Sequence, residues 1–347
     1  MALTPTETEL EDEAARLADK GLSGLGYRDE DLERAACLTW KINRLKKEKK
    51  AVIPAHVYQR PEILLGVADF IGDSYKLAKL GAASDAKTIV FCGVRFMAET
   101  AKILSPNKEV LLPAPEAGCS LSESITAADV RALKKKHPGA PVSVYINTTA
   151  AVKAECDVVV TSANAPKILR KLFEKSPKVI FAPDAMMGGN LAKELDKKLG
   201  VELIVWNGTC LVHDNFDAAS VEFYRKMYPG VKILAHFECT PALTSVVDYI
   251  GGTGDMMKWV DDHKAPSYML ITECGLGDLA RTKFPDKVFV PMCRLCPHMK
   301  AVTLERVLSA LERPTASQRI EVPAAVAARA LLPIERMFEL AEDKAAA

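Results

Sequence analysis

The chain has 347 residues, of which 49% are hydrophobic and 26% are charged, and its formal net charge is +1. This composition is typical of a soluble globular protein with a sizeable core. The balanced charge gives no reason to expect a nucleic acid or an anionic membrane as partner. No apolar run reaches the ~18 residues of a membrane span, and residues 1–30 lack the features of a signal peptide. We therefore expect a cytoplasmic protein whose nine cysteines are thiols or metal ligands rather than disulfides.

An internal repeat with a period of about 90 residues organises the chain. Its clearest element is a short apolar run with polar side chains at alternate positions near its end. The three copies are Val52–Tyr58, Val142–Asn147 and Ile233–Glu238. Short apolar strands that alternate with helical periods predict βα units and parallel sheets. The sequence therefore predicts an α/β fold of three pseudo-threefold-related αβα domains, Rossmann-like with parallel sheets, around a central site.

Further elements keep the same register. Two more strands per repeat are predicted at 88–94, 178–182 and 268–272, and at 110–112, 203–205 and 288–290; an amphipathic helix follows near 122–136, 214–228 and 298–312. We accordingly divide the chain into five segments. They are an N-terminal helical extension (1–36), three repeat domains (37–125, 126–217 and 218–312) and a C-terminal helical tail (313–347).

One cysteine stands at the end of each repeat, at Cys119, Cys210 and Cys296. Threefold packing of the repeats would bring these three thiols together. Three thiolates without a close fourth suit a [4Fe-4S] cluster with one iron left open to substrate. Zinc is a competing metal, and buried structural cysteine is the alternative without a metal.

A hydroxyl group precedes a predicted helix in each repeat, at Ser74, Ser162 and Thr253. The N-terminus of a helix offers backbone N–H groups and a positive dipole, which together attract anions. Ordinary N-capping is the alternative for each residue taken singly. Three such positions around one cavity favour a substrate with several anionic groups, such as carboxylates and a phosphate.

Polar side chains end the first strand of each repeat. They are His56, Tyr58, Tyr145, Asn147, His236 and Glu238. Alternate positions of a strand point to the same side, so each pair can line the wall of a polar cavity. A lone histidine in an apolar run is otherwise more often a core residue. We expect Glu238 to act as proton acceptor, because partial burial can raise the pKa of a carboxylate toward neutrality.

Two other motifs carry less weight. The glycine-rich stretch at 251–254 lacks the ending of a phosphate loop, and no dinucleotide-binding fingerprint is present, so we assign no nucleotide cofactor. The pair Cys293-x-x-Cys296 resembles a redox motif, yet only Cys296 is in register with the other repeat cysteines. We therefore expect Cys293 to be dispensable for metal binding, although it is near enough to pair with Cys296 when metal is lost.

Taken together, these motifs resemble the quinolinate synthase A family. The resemblance extends from about residue 40 to 312 and is highly specific in its combination of motifs. The segments that carry it are Ala55–Gln59, Gly72–Ser74, Phe96–Ala101, Gly118–Ser120, Tyr145–Asn147, Thr161–Asn164, Gly208–His213, Glu273–Gly275 and Cys296–Lys300.

The resemblance implies a transferase that condenses iminosuccinate with dihydroxyacetone phosphate. The product is quinolinate, the precursor of NAD, and phosphate and two waters are lost. An aspartate-oxidising enzyme would supply the iminosuccinate. The resemblance implies a [4Fe-4S] cluster on Cys119, Cys210 and Cys296, with the open iron acting as a Lewis acid.

The same resemblance assigns residue roles by motif. Those implied to hold substrate are His56, Ser74, Tyr145, Asn147, Ser162, His236, Glu238 and Thr253. Glu238 and Tyr58 are the leading acid–base candidates, and His56 is also placed among the catalytic residues. The chain departs from the family pattern at Phe237, where the family usually has proline, and at Gly252 and Gly254, where it commonly has serine.

Two competing functions are open at this point. One is another cluster-dependent lyase, such as a dehydratase, on the same scaffold. The other is a non-catalytic redox sensor that uses Cys293 and Cys296. A sensor would not require polar residues at three strand ends.

Overall fold

The protein is described from a computed structural model, which gives residues 4–199, 201–292 and 294–342, without the side chains of 196–199. Its strands are all paired in parallel and alternate with helices, which confirms the predicted α/β class. Within these ranges, none of the helices combines the length and the apolar character that crossing a membrane requires. Cys293 lies outside the described residues, and its pairing with Cys296 stays a prediction. Cys274 is disulfide-bonded, which corrects the expectation that none of the cysteines forms a disulfide.

The described chain contains short strands that are numbered in order. The strands are β1 (Ala51–Val52), β2 (Pro54–His56), β3 (Phe70–Gly72), β4 (Thr88–Val90), β5 (Glu109–Leu111), β6 (Val142–Tyr145), β7 (Val158–Val160), β8 (Lys178–Ala182), β9 (Glu202–Val205), β10 (Lys232–His236), β11 (Tyr249–Gly251) and β12 (Tyr268–Ile271). Most of their residues are buried.

The α-helices are numbered in the same way. They are α1 (Glu7–Asp19), α2 (Asp29–Glu48), α3 (Pro61–Gly66), α4 (Ser74–Ala83), α5 (Arg95–Leu104), α6 (Ser120–Glu123), α7 (Ala127–Lys136), α8 (Ala150–Lys153), α9 (Ala165–Phe173), α10 (Ala185–Leu199), α11 (Ala218–Met227), α12 (Pro241–Thr244), α13 (Thr253–Asp262), α14 (Cys274–Lys283), α15 (Pro297–Lys300), α16 (Leu304–Glu312) and α17 (Ala324–Ala341).

The same strand order recurs in each repeat. The second repeat forms the sheet β7-β6-β8-β9 and the third forms β11-β10-β12. In the first repeat the leading strand is interrupted at Ile53 and forms two short strands, β1 and β2. Strand β2 pairs with β3, and β1 belongs to the sheet β1-β4-β5. In each case the first strand lies between the second and the third. The second strands, at 70–72, 158–160 and 249–251, were not predicted from the sequence, because each is only three residues long.

Two compact units divide the described chain. Unit 1 is built from Met1–Ala117 and Glu273–Glu321, and unit 2 from Gly118–Thr272 and Val322–Ala347. The five-segment division and the pseudo-threefold arrangement stay predictions. Helices α1 and α2 pack on each other in unit 1, whereas α17 packs against β7, α8 and α9 in unit 2.

Two local predictions differ from the structure. Residues 288–290 do not form a strand: Phe289 makes only an isolated bridge, and a parallel bridge joins Glu273 to Arg294 nearby. Pro291 directly follows this segment and has no N–H to donate to a strand ladder, which disfavours an extended strand here. The amphipathic helix predicted after each cysteine is instead a single helical turn followed by a longer helix. In order these are α6 and α7, a 3-10 turn at His213–Asn215 and α11, and α15 and α16.

Candidate active site and metal centre

Buried polar residues gather at the carboxyl ends of the strands in unit 2. Strand β6 ends at Tyr145, and β10 ends at His236, two residues before Glu238. Pairing in register sets His236 beside Gly251, two residues before Thr253. In α/β sheets, ligands bind beyond these strand ends, because the loops there are free of the sheet. Tyr145, His236 and Glu238 therefore lie where such a sheet binds its ligands, and their roles stay predictions.

Glu238 is the centre of a buried hydrogen-bonded group. Its Oε1 accepts a 2.7 Å hydrogen bond from the phenol of Tyr145, and its Oε2 lies 3.0 Å from Nδ1 of His213. The same Nδ1 is 3.2 Å from Sγ of Cys210, and Nε2 of His213 is 2.9 Å from the hydroxyl of Thr272. Donor atoms of Cys210, His213 and Glu238 all lie within 4.8 Å of one another, so this group could hold a metal ion.

His236 is held as a neutral ring. The backbone N–H of Glu238 donates to its Nδ1 at 3.3 Å, and the ring stacks on that of His213 with centroids 4.8 Å apart. Burial lowers the pKa of His236 to about 4, in spite of the nearby Glu238. At neutral pH the ring is therefore uncharged, and its one proton is on Nε2.

Unit 1 contains the same local arrangement at His56. Here the backbone N–H of Tyr58 donates to Nδ1 of His56 at 3.2 Å, and the two rings make an edge contact with centroids 4.6 Å apart. Pairing of β2 with β3 sets His56 opposite Gly72, two residues before Ser74. A neutral ring held in this way presents Nε2–H as a hydrogen-bond donor, which suits recognition of an anionic group.

The expected direction of the Glu238 pKa was wrong. Burial by itself raises the pKa of Glu238. The favourable interactions of the carboxylate with His213, and then with His236 and the phenol of Tyr145, outweigh burial and hold this pKa well below its usual range. Asp184, also buried, shows the opposite shift, because burial and then the charge of Glu238 raise its pKa well above the usual value. The surroundings therefore shift the pKa values of these two carboxyls in opposite directions.

A hydroxyl group joins the two cysteine loops of unit 2. Ser120, directly after Cys119, donates to the carbonyl of Thr209 at 3.0 Å and accepts from the N–H of Leu211 at 3.1 Å. These are the residues on either side of Cys210. Burial, followed by the charges of Glu238 and Cys119, raises the pKa of the Cys210 thiol well above its usual value. Cys119 and Cys210 are thus two half-buried thiols, outside any disulfide, that are held near each other. This arrangement suits a metal group that prefers soft thiolate ligands.

Cys296 lies in unit 1 and is likewise outside any disulfide. It precedes the single turn α15, as Cys119 precedes α6. Its backbone N–H donates to Oε1 of the buried Glu273 at 3.2 Å. Burial raises the pKa of the Cys296 thiol, although backbone N–H groups of Met299 and His298 lower it. The structure thus gives Cys296 the same local setting as Cys119.

The three predicted anion-site hydroxyls are not helix caps. Asp73 caps α4, Asn164 stands at the cap of α9, and Gly252 at that of α13. Ser162 lies against Gly252, where an added Cβ would meet its Oγ at 2.6 Å. The glycine therefore allows the segments before α9 and α13 to approach closely, and a serine there would require Ser162 to move. Asn147 is half-buried beyond the end of β6.

Sequence reasoning missed His213 and Thr272. His213 follows Cys210 by three residues, a spacing that metal ligands often use, and this was the available signal. Thr272 shows no pattern in the sequence, because its contact with His213 joins residues 59 positions apart.

Comparison with known proteins agrees with this geometry. The family model for quinolinate synthetase A protein matches residues 40–339. A quinolinate synthase of Sinorhizobium fredii is 45% identical over 299 residues, which are 86% of this chain and 81% of that protein. A quinolinate synthase of Caulobacter vibrioides is 44% identical over 307 residues, which are 88% of this chain and 82% of that protein. One of Xylella fastidiosa is 44% identical over 299 residues, which are 86% of each chain. The chain therefore belongs to the quinolinate synthase A family.

Proposed function

We propose that this chain condenses iminosuccinate with dihydroxyacetone phosphate to give quinolinate, phosphate and two waters, as a cytoplasmic transferase in the biosynthesis of NAD. The observation that carries the proposal is the buried group of Tyr145, His213, His236 and Glu238 beside Cys210, in a member of this family. Such a group offers hydrogen-bond donors and an ionised carboxylate to a small anionic substrate. An aspartate-oxidising enzyme is the proposed source of iminosuccinate.

We propose that Cys119, Cys210 and Cys296 hold one [4Fe-4S] cluster with an open iron. Two observations support this ligand set. The hydrogen bonds of Ser120 join the loops that carry Cys119 and Cys210. Cys119 and Cys296 each occupy the N-cap position of a single helical turn. When bound, the cluster supplies a Lewis acid for a substrate oxygen during dehydration. The group of Cys210, His213 and Glu238 is an alternative set for a single metal ion.

The remaining roles follow from the protonation states. Ionised Glu238 accepts a proton from substrate. Tyr58, in the turn after β2 of the first repeat, is the second acid–base residue. His56 and His236 donate from Nε2 to substrate anions, because Nδ1 is occupied by a backbone N–H in both. Ser74, Ser162 and Thr253 bind anionic groups at helix starts, where other residues occupy the cap positions. Tyr145 and Asn147 complete the substrate contacts.

An anaerobic assay with both substrates tests the proposal. We expect brown protein with about four irons and four sulfides per chain, and equal amounts of quinolinate and phosphate as products. Stoichiometric zinc without acid-labile sulfide would refute the cluster. Cluster-loaded protein that forms no quinolinate would refute the reaction.

The ligand set has its own test. Cys119→Ser, Cys210→Ser and Cys296→Ser should each lose the cluster, whereas Cys293→Ser should retain it. Colourless Cys293→Ser protein would show that the third ligand is wrongly assigned. Mass spectrometry of air-exposed apo-protein detects a Cys293–Cys296 disulfide directly.

A further inference from the structure

Three side-chain nitrogens hold the turns that carry the proposed substrate residues. They belong to Lys153, Asn190 and Lys300, to which the function above gives no role. Each contacts two backbone carbonyls of the turn after a repeat's first strand. We propose that these three are positioning residues, which fix Asn147, Glu238 and Tyr58 for the reaction. The inference rests on the proposed function.

Lys153 is the most unusual of the three, because it is fully buried, with 0% exposure. Its Nζ donates to the carbonyl of Ile146 at 2.8 Å and to the carbonyl of Thr148. These two carbonyls flank Asn147. Burial of an ammonium group costs several kcal/mol unless hydrogen bonds compensate. An apolar side chain would avoid that cost, so the structure ties this lysine to holding the turn.

Asn190 of α10 does the same for Glu238. Its Nδ2 donates to the carbonyls of Phe237 and Cys239 at 2.8 and 2.9 Å, the residues on either side of Glu238. Its Oδ1 accepts a 2.7 Å hydrogen bond from Thr244, which orients the amide. All of the amide's polar atoms are thus engaged, and rotation of either flanking peptide plane would break a hydrogen bond.

Lys300 holds the Tyr58 turn in unit 1. Its Nζ donates to the carbonyl of Tyr58 at 2.7 Å and lies 3.4 Å from that of Gln59. It also pairs with the buried Glu273 at 3.1 Å, and Glu273 accepts from the backbone N–H of Cys296. The turn that carries Tyr58 is therefore linked through two side chains to the backbone of a proposed cluster ligand.

The common geometry argues for a common purpose. The three nitrogens come from different places in the repeat and from two residue types, yet each engages two carbonyls of a turn that carries a proposed site residue. Carbonyls beyond the end of a strand have no ladder partner, and water could supply a donor at the surface. The carbonyl of Ile146 also accepts from the backbone N–H of Thr148 at 2.7 Å. A fixed side-chain donor adds restraint on the turn, and displacement of a catalytic group by about 1 Å can cost about 10²-fold in rate.

The test uses cluster-loaded enzyme purified without oxygen. Lys153→Met keeps the unbranched side chain, one atom shorter, and removes the nitrogen, and Asn190→Asp keeps its shape and replaces the donor by oxygen. We expect each variant to retain the wild-type cluster spectrum and to lose about 10²-fold in kcat with a smaller change in KM. Lys153→Arg should recover part of the loss. Lys135→Met, on the exposed end of α7, is the matched control and should behave as wild type.

Hydrogen exchange provides a readout that does not depend on activity. Backbone amides of 145–149 in Lys153→Met, and of 236–240 in Asn190→Asp, should exchange at least about tenfold faster, while other core amides stay unchanged. Folded, cluster-loaded variants with normal exchange and normal turnover would overturn the inference. So would a uniform rise in exchange, or a loss of activity in proportion to lost cluster, since either indicates general destabilisation. If wild-type enzyme forms no quinolinate, the proposed function fails, whereas local exchange still reports whether the nitrogens hold the turns.

Discussion

The phenol of Tyr145 donates a 2.7 Å hydrogen bond to Oε1 of Glu238, and so connects the end of β6 with the turn after β10. The two residues are 93 positions apart: Tyr145 ends β6 as His236 ends β10, and Glu238 lies two residues beyond His236. Because this bond stabilises the ionised carboxylate, it helps to hold the pKa of Glu238 below its usual range. Two predictions for catalysis depend on this pair.

Glu238→Gln should keep the cluster and substrate binding while turnover falls by about 10²-fold or more, the usual scale of acid–base catalysis. Steady-state kinetics and the cluster absorbance measure both effects. Near-normal turnover would remove Glu238 from the chemistry. A rise in KM at normal kcat would instead assign it to substrate binding.

Tyr145→Phe should move the acid limb of the pH–rate profile upward. Loss of the phenol removes a donor that lowers the pKa of Glu238, so the carboxylate becomes protonated at a higher pH. The measurement is kcat/KM across the acid range, with Tyr224→Phe on α11 as a control outside the site. An acid limb at the wild-type position would show that the hydrogen bond does not tune this group.

Cluster assembly should be faster at higher pH. Burial raises the pKa of both Cys210 and Cys296, whereas iron binds the thiolate, so assembly must release protons. We expect anaerobic reconstitution of apo-protein to be several-fold faster at about pH 8.5 than at about pH 6.5, measured from the growth of cluster absorbance. Cys37→Ser, which changes an off-register cysteine, should show the same dependence. Equal rates at the two pH values would contradict the proton release.

Stability should fall in mild acid through His236. Its pKa is about 4 in the folded protein and 6.5 for the unperturbed side chain, so between these values the unfolded chain binds a proton that the folded chain does not. The free energy of unfolding therefore decreases as the pH falls from 6.5 toward 4, by up to about 3 kcal/mol. His236→Gln should lose this part of the pH dependence in urea unfolding. His263→Gln, at an exposed histidine, should retain it.

Gly275 and Gly277 form a matched pair on α14. A Cβ at Gly275 would lie 2.7 Å from the carbonyl oxygen of Val57 and 2.8 Å from Cα of Tyr58, whereas a Cβ at Gly277 would meet nothing within 4 Å. Gly275→Ala should therefore lower stability by about 1–3 kcal/mol and reduce turnover through displacement of Tyr58. Gly277→Ala should raise stability by about 0.5–1 kcal/mol, because alanine is the better helix former. Calorimetry and turnover of both variants decide whether this close approach matters.

Much of the fold was accessible from the sequence. The polar strand ends at His56, Tyr145 and His236 and the cysteine after each repeat predicted parallel βα units and the candidate residues, because strand and helix periods are local properties. Local signals failed where elements were short, as in β3, β7 and β11, or where the predicted strand at 288–290 is reduced to an isolated bridge at Phe289 beside Pro291.

The protonation and the support of the site were decided by tertiary structure. The sequence by itself determined which residue types reach the strand ends and that a thiol closes each repeat. Only the folded chain places His213 and Tyr145 on Glu238, which reverses the expected shift of its pKa. Only the fold brings Asn190 to the carbonyls beside Glu238 and Lys300 to the carbonyl of Tyr58. The physical reason is that electrostatic and hydrogen-bond energies depend on distances between atoms far apart in the chain. No local pattern encodes those distances.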